Sequence, residues 1–426
     1  MHKIELVYSR LSKSALATDS FWAIIGNGLG YALLMISGVI IARILGKDIY
    51  GEYSTAKNTM LYMGAFAAFG LGSSSTRYVA KYIDVEKGCL RSIAWGSLKV
   101  TFVFSSLLSL LLIAFSDELA LFINAPQLSK AFKYLSVLIV FRAVLLTSIG
   151  ILSGYKDFKS IGLYHIYAGI AIVVLCLPTT LKYGIDGAFA SLMFYQVVLC
   201  GLALLRCLKL TYKFPKCASI KIRELLKFSF PVMLQEFVGN ISTFGVMLII
   251  TKYASVGDYG IYNASIQWNA IIIFIPSLLV NVVLSYLVSN SESNSHGVML
   301  HKLLIINFVS SLIPFIAVFL LSGFIVGMYG PSFDGMQVVL NILILSTLFT
   351  SVTNVYQSDL ISRNCNWYLF LIKLVTSIII IVATFYTIQY SELNAALAAA
   401  VVTLIGSVLT FILLSYTSHV ILKKRC

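Results

Sequence analysis

Charge is scarce in this chain. Only 11% of its 426 residues are Asp, Glu, Lys or Arg, whereas 59% are hydrophobic. A water-soluble globule of that composition would lack the polar side chains needed to cover its surface, so a soluble domain is excluded and a polytopic membrane protein is expected. Acids are scarcer still, 17 against 31 Lys and Arg. The bases stand in short patches between apolar runs, where a duplex could not reach them, so no nucleic-acid partner is expected. There are five histidines. His2, His165, His296, His301 and His419 pair with no nucleophile or carboxylate at a recognisable spacing, and the chain reads as a non-enzyme. The seven cysteines are odd in number and show neither CxxC nor Cys/His spacing. That pattern predicts no metal site; no cofactor is expected, and since the expected topology places the cysteines in helices or on the cytoplasmic side, neither is a disulfide.

What the chain does have is apolar length. The first run, Phe21 to Leu45, is too long for a signal-peptide core and is expected to remain as a transmembrane helix. Before it, Met1 to Leu16 mixes Ile4, Leu6, Val7 and Leu11 with Lys3, Arg10 and Lys13, as a segment lying along the inner membrane surface would. A hydrocarbon core of roughly 30 Å takes about 20 residues per helix, which divides the sequence into about twelve spans. Six are expected at 21–45, 55–72, 93–115, 134–154, 162–181 and 187–205. Six more are expected at 228–251, 261–288, 303–328, 337–360, 368–387 and 395–416.

An even number of spans puts both termini on one side, and the bases indicate which. With a cytoplasmic N-terminus that side receives most of the Lys and Arg, including the most basic stretch of the chain: Arg206, Lys209, Lys213, Lys216, Lys221, Arg223 and Lys227. This segment is expected to lie on anionic membrane lipid as a hinge. Three parts follow: an N-terminal six-helix bundle with its amphipathic lead over 1–205, a basic cytoplasmic hinge over 206–227, and a C-terminal six-helix bundle over 228–426. The longest outer connection, 116–133, has room for one surface helix.

The halves share an echo. Tyr50-Gly51-Glu52-Tyr53, between the first and second spans, recurs as Tyr259-Gly260-Ile261-Tyr262 between the seventh and eighth, each followed by a polar helix start. Two copies of an even-numbered bundle have the same orientation and are related by a pseudo-two-fold axis along the membrane normal.

A charge inside a span costs roughly 2.5–3.5 kcal/mol on insertion scales and so needs a reason. Arg142 in the fourth span, and after it Lys373 in the eleventh, are candidates for a cationic lining that attracts an anionic substrate. Arg43 near the end of the first span and Lys99 in the third are further candidates, with snorkelling as the plainer account. Glu236 is the one acid well inside a span, and Asn240 and Thr243 follow it on one helix face. It either pairs with a cavity cation or titrates as a coupling site. A polar stripe of Thr347, Ser351 and Asn354 reads as interhelical hydrogen bonding.

Ala42-Arg43-Ile44-Leu45-Gly46 followed by Tyr50-Gly51-Glu52-Tyr53 resembles the bacterial O-antigen and capsular polysaccharide flippases of the multidrug/oligosaccharidyl-lipid/polysaccharide exporter superfamily. Phe69-Gly70-Leu71-Gly72 running into Arg77-Tyr78-Val79-Ala80, and Phe228-Ser229-Phe230-Pro231, add to the resemblance. It implies a twelve-helix transporter with a central V-shaped cavity in the bacterial inner membrane. Such a transporter moves an undecaprenyl-diphosphate-linked oligosaccharide to the periplasmic leaflet by alternating access, with H⁺ or Na⁺ coupling as a candidate energy source. A polysaccharide polymerase and a chain-length regulator are candidate partners. Members often carry a charged residue midway along the seventh span, where this chain reads Ser242-Thr243-Phe244-Gly245. The alternatives are a cation-coupled multidrug exporter of the same superfamily, which would favour acids over bases in its spans, and a membrane-bound polymerase or ligase, which would need catalytic groups not found here.

Overall fold

The computed structural model describes residues 2–83, 87–213, 222–277, 296–363 and 365–425. The middle of the basic segment, 214–221, and the end of the eighth expected span, 278–288, lie outside the described residues. The described chain is helical almost throughout, as a bilayer requires: with no water in the hydrocarbon core, backbone groups must pair within their own segment. Eight of the described helices are long and apolar enough to cross a membrane. Two compact units are formed, one of Met1–Ile41, Ala56–Leu121 and Pro126–Phe237, the other of Ala42–Thr55, Phe122–Ala125 and Val238–Cys426.

Helix α1, His2–Ala67, contains 66 residues. A straight helix of that length would reach about 100 Å, some three times the hydrocarbon thickness. Gly46 breaks it with φ 72° and ψ 170°, so that α1 supplies two spans. Its second arm stops at Ala67, short of the Gly72 expected, because Phe69 and Gly70 both take positive φ before α2, Leu71–Tyr82, begins. Then come α3, Lys87–Ala114; α4, Ser116–Phe122, which is the expected surface helix; and α5, Leu128–Gly154. The 54-residue α6, Phe158–Thr211, is broken at Gly184, whose φ of 59° and ψ of −133° suit a residue without Cβ. It too supplies two spans.

Small residues let these helices approach one another. A Cβ on Gly26 of α1 would lie 2.3 Å from the Gly162 Cα of α6. Hydroxyls join neighbouring helices, as between Thr101 and Thr147 at 2.8 Å and from Ser75 to Ser97 at 2.9 Å.

The second unit takes the C-terminal part of α7, Ile222–Tyr253, and then α8, Val256–Ile266. It continues with α9, His296–Leu320; α10, Ser322–Tyr329; a short 3₁₀ turn, Pro331–Phe333; α11, Met336–Ser362; α12, Asn366–Tyr390; and α13, Ala395–Arg425. Leu300, Leu303, Val355, Tyr356, Leu360, Leu369 and Leu414 form a buried cluster in it. Of the polar stripe on α11, Ser351 meets Ser311 of α9 at 2.9 Å, as expected, while Thr347 bonds back to the carbonyl of Ile344 in its own helix.

A second polar group is fully buried among these helices. Asp359 of α11 accepts from Arg363 Nε at 2.8 Å and from Ser418 Oγ of α13 at 2.6 Å, and its Oδ1 lies 2.7 Å from His296 Nε2 of α9. His296 therefore does meet a carboxylate, 63 positions along the chain, where no sequence spacing could show it.

Both YGxY copies are helical, not loop. α8 starts early because Ser255 caps it: its Oγ accepts from the Asp258 amide at 2.9 Å and donates to the Asp258 carboxylate at 2.7 Å. Within the second unit the two copies cross at their glycines. A Cβ on Gly51 would lie 1.9 Å from the Val256 carbonyl oxygen, and one on Gly260 would lie 2.3 Å from the Lys47 carbonyl oxygen. Tyr50 is fully buried there, accepting from Gln267 Nε2 at 2.8 Å and stacking edge-on with Phe333.

Candidate functional site

The intramembrane charge with the most distinctive surroundings is Arg142, one of the residues singled out by sequence. It projects from α5 in the first unit. Gly64 on the second arm of α1 leaves it room: a Cβ there would sit 2.6 Å from Arg142 Cγ and 2.7 Å from its Cβ. The arginine stem therefore lies flat on bare backbone. Arg142 is half-buried, and its Nε is fully buried with no acceptor among the described residues. A buried donor without a partner costs about 1–3 kcal/mol, more for a charged group.

Two residues that sequence reasoning did not select stand within electrostatic reach of this guanidinium, His165 and Tyr195. Both lie on α6, one on each side of the Gly184 break, and both are more than nine-tenths buried. His165 is two turns inside α6, which begins at Phe158, not near a helix start as the span boundaries implied. A Cβ on Gly30 of α1 would lie 2.6 Å from His165 Cβ, so the helices touch and the imidazole is held in place. Its ring centroid lies 6.1 Å from that of Tyr31, also on α1. Beside Tyr195, Gln196 has a buried Nε2 that likewise finds no acceptor among the described residues. The result is a patch in a helical bundle that holds a fixed cation with a spare N–H donor, an imidazole and a phenol. Such a patch can bind an anion; it supplies no nucleophile–base pair.

The other expected cations are placed differently. Arg43, in the second unit, is exposed, and its Nη1 donates to the carbonyls of Gly327 at 3.5 Å and Met328 at 3.3 Å. These are the last turn of α10, where a cation also complements the helix dipole. Lys373 is half-buried on α12. Lys99 is exposed on α3. Asn240 and Thr243 lie half-buried on α7; the backbone of Glu236 belongs to the same helix, and its side chain lies outside the described residues.

The model of the polysaccharide biosynthesis protein family matches residues 16–285 of the chain. The chain belongs to the polysaccharide biosynthesis protein family. It is similar to the succinoglycan biosynthesis transport protein ExoT of Rhizobium meliloti (strain 1021), 22% identical over 252 residues that make up 59% of this chain and 49% of ExoT. The chain spans about half the length of the curated relatives it matches. Among solved structures it is similar to an inward-facing multidrug resistance MATE family transporter of the MOP superfamily. There the TM-score is 0.79 at 14% identity, covering 94% of this chain and 99% of that one. It is also similar to the lipid II flippase MurJ in an inward closed conformation, with a TM-score of 0.73 at 16% identity, covering 92% of this chain and 86% of that one. At such identities the likeness shows the fold alone. This member of the polysaccharide biosynthesis family is thus an all-α polytopic membrane protein of about twelve transmembrane helices with the fold of MOP-superfamily transporters.

His165 and Tyr195 escaped the sequence because nothing in it states which faces of α1, α5 and α6 meet. The available signal was glycine: Gly26 and Gly30 stand one turn apart on α1, and Gly162 stands three residues before His165.

Proposed function

We propose that this polysaccharide biosynthesis protein is a flippase. It carries an undecaprenyl-diphosphate-linked oligosaccharide, an O-antigen or capsule repeat unit, from the cytoplasmic to the periplasmic leaflet of a bacterial inner membrane by alternating access. Both termini are cytoplasmic, and the basic segment over 206–227 joins two six-helix halves. The observation that carries this reading is Arg142, whose buried Nε has no acceptor among the described residues and whose charge reaches His165 and Tyr195. A guanidinium inside a bundle is costly unless it meets an opposite charge, and its planar fork matches phosphate oxygens. Lys373 is the second cation assigned to the substrate, while Glu236, Asn240 and Thr243 on α7 are the candidates for coupling to H⁺ or Na⁺. The polyprenyl tail stays in the bilayer.

The test is export in cells lacking the native gene, together with flipping of a fluorescent lipid-diphosphate oligosaccharide in proteoliposomes. Arg142→Ala is expected to abolish both, and Arg142→Lys to retain part, since charge remains but the bidentate fork is lost. Equal activity in the two variants would give Arg142 a structural role. Protection from cationic drugs with unchanged surface glycan would replace the flippase by a multidrug exporter.

A further inference from the structure

A second cationic site lies elsewhere in the first unit, where the start of α3 meets the end of α6. The guanidinium carbon of Arg91 sits 4.3 Å from the centre of the Tyr212 ring. Trp95, one turn along α3 from Arg91, meets the same ring edge-on at 6.4 Å and 81°. Arg91 Nε is buried with no acceptor among the described residues, and no carboxylate there pairs with it. The nearby Arg206 is by contrast neutralised, its Nε donating to Asp157 at 2.7 Å. Among the described residues Arg91 thus has no carboxylate partner, and it stands in a frame of two aromatic rings.

The face of α6 that carries Tyr212 shows what meets this charge. Leu205, Lys209 and Tyr212 follow at i, i+4 and i+7, so they share one face. Leu205 is 67% exposed, Lys209 is exposed and Tyr212 is 57% exposed. Along one stripe the surface passes from apolar to cationic to aromatic. On α3 the order from the helix start is Arg91, Trp95, Lys99, Phe102, with Lys99 and Phe102 exposed. Toward the end where Arg91 meets Tyr212, each stripe passes from a surface suited to acyl chains to one suited to headgroups. Trp and Tyr favour that level of the bilayer, and lysines reach it by snorkelling.

We infer that Arg91, Trp95 and Tyr212, with Lys99, Lys209 and Lys213, form a binding site for the headgroup of an anionic phospholipid, with its acyl chains lying along Leu205 and Phe102. The phosphodiester takes the spare donors of Arg91, and the lysines supply the remaining positive field. Tyr212 holds the guanidinium over its ring. The site is separate from Arg142 and does not depend on what the protein transports.

The experiment uses the full-length protein purified in neutral detergent and titrated with short-chain phosphatidylglycerol, short-chain phosphatidylcholine or inorganic phosphate. Thermal unfolding and native mass spectrometry are the readouts. Phosphatidylglycerol is expected to raise Tm and to be retained as a defined adduct, the other two far less. Arg91→Gln or Tyr212→Ala should lower apparent phosphatidylglycerol affinity by roughly fivefold or more, since each cation near an anionic lipid surface contributes about 1 kcal/mol. Lys302→Ala, at an exposed cation of the other unit, should leave it unchanged. If the α3 and α6 variants fail to fold, Lys209→Gln, at an exposed position, should still lower the affinity. Equal responses to phosphatidylglycerol and phosphatidylcholine, or a response in Arg91→Gln and Lys209→Gln equal to wild type, would overturn the site. A response to inorganic phosphate matching that to phosphatidylglycerol would make it a free-anion site and overturn the lipid assignment.

Discussion

Asn263 Nδ2 donates to Ser54 Oγ at 3.0 Å, a buried bond between residues 209 positions apart. The same step of 209 leads from Gly51 to Gly260 and from Lys47 to Val256. Residues holding equivalent places in the two YGxY copies therefore lie against each other, and the polar side chains just past the glycines satisfy one another where water is absent.

Side chains at the crossing glycines should not be tolerated. Gly51→Val and Gly260→Val each force a Cβ against a backbone carbonyl, which cannot swing aside as a flexible side chain would. Each is expected to lower stability by roughly 1–3 kcal/mol or more, measured as a drop in Tm of the purified protein. Gly239→Ala on α7 is the contrast, because its added Cβ has no atom within 4 Å. It should be neutral or slightly stabilising, since alanine is the better helix former by about 1 kcal/mol.

The sequence made much of the architecture legible and little of the pairing. Apolar length announced the spans, because only about 20 residues fit across a bilayer, and Gly46 and Gly184 fall in the gaps expected between spans. The ends were harder to see: Phe69 takes a positive φ that its residue type does not advertise. Arg142 was visible as a charge out of place, whereas His165 and Tyr195 became part of its surroundings only through contacts between α1, α5 and α6. Asp359 and His296 were hidden for the same reason.

Removing Asp359 should be among the most damaging substitutions in the second unit. Asp359→Ala would leave Arg363, whose side chain is 3% exposed, as a buried charge without its partner. Breaking a buried pair in this way costs about 3–5 kcal/mol. Ser418→Ala removes one neutral donor and should cost about 1 kcal/mol. Arg363→Ala added to Asp359→Ala should cost less than the sum of the two single changes, and thermal unfolding of the four proteins checks this coupling.

Gly64→Ala should disturb the site and the packing beneath it together. Its Cβ would lie 2.6 Å from Arg142 Cγ and 2.7 Å from Arg142 Cβ, and since a Cβ cannot rotate away, the second arm of α1 and α5 must shift apart locally. Both export and Tm should fall; full export with an unchanged Tm would show that this close approach is not critical.

One effect of pH is expected on the surface. Hydrogen bonds from Lys133 and Ser129 hold the Asp117 carboxyl below the usual carboxylate range. A carboxyl whose pKa is lower in the folded than in the unfolded chain stabilises the fold above the unfolded value, and that contribution is lost as pH falls through the folded one. Asp117→Asn should therefore lower Tm at neutral pH, by a small amount because the pair is exposed. The difference should shrink below about pH 4 and vanish once the wild-type carboxyl is protonated.

The glycine crossing also bears on ancestry. Lys47 meets Gly260 as Gly51 meets Val256, so residue i touches the counterpart of j, and j the counterpart of i. That reciprocity is the mark of an isologous contact between identical chains. Ser54 and Asn263 then stand where a single ancestral residue would have faced its own copy. Fusion of two such chains would have freed that residue from having to be its own partner, and the present donor–acceptor pair of unlike side chains is one that a symmetric dimer could not have encoded.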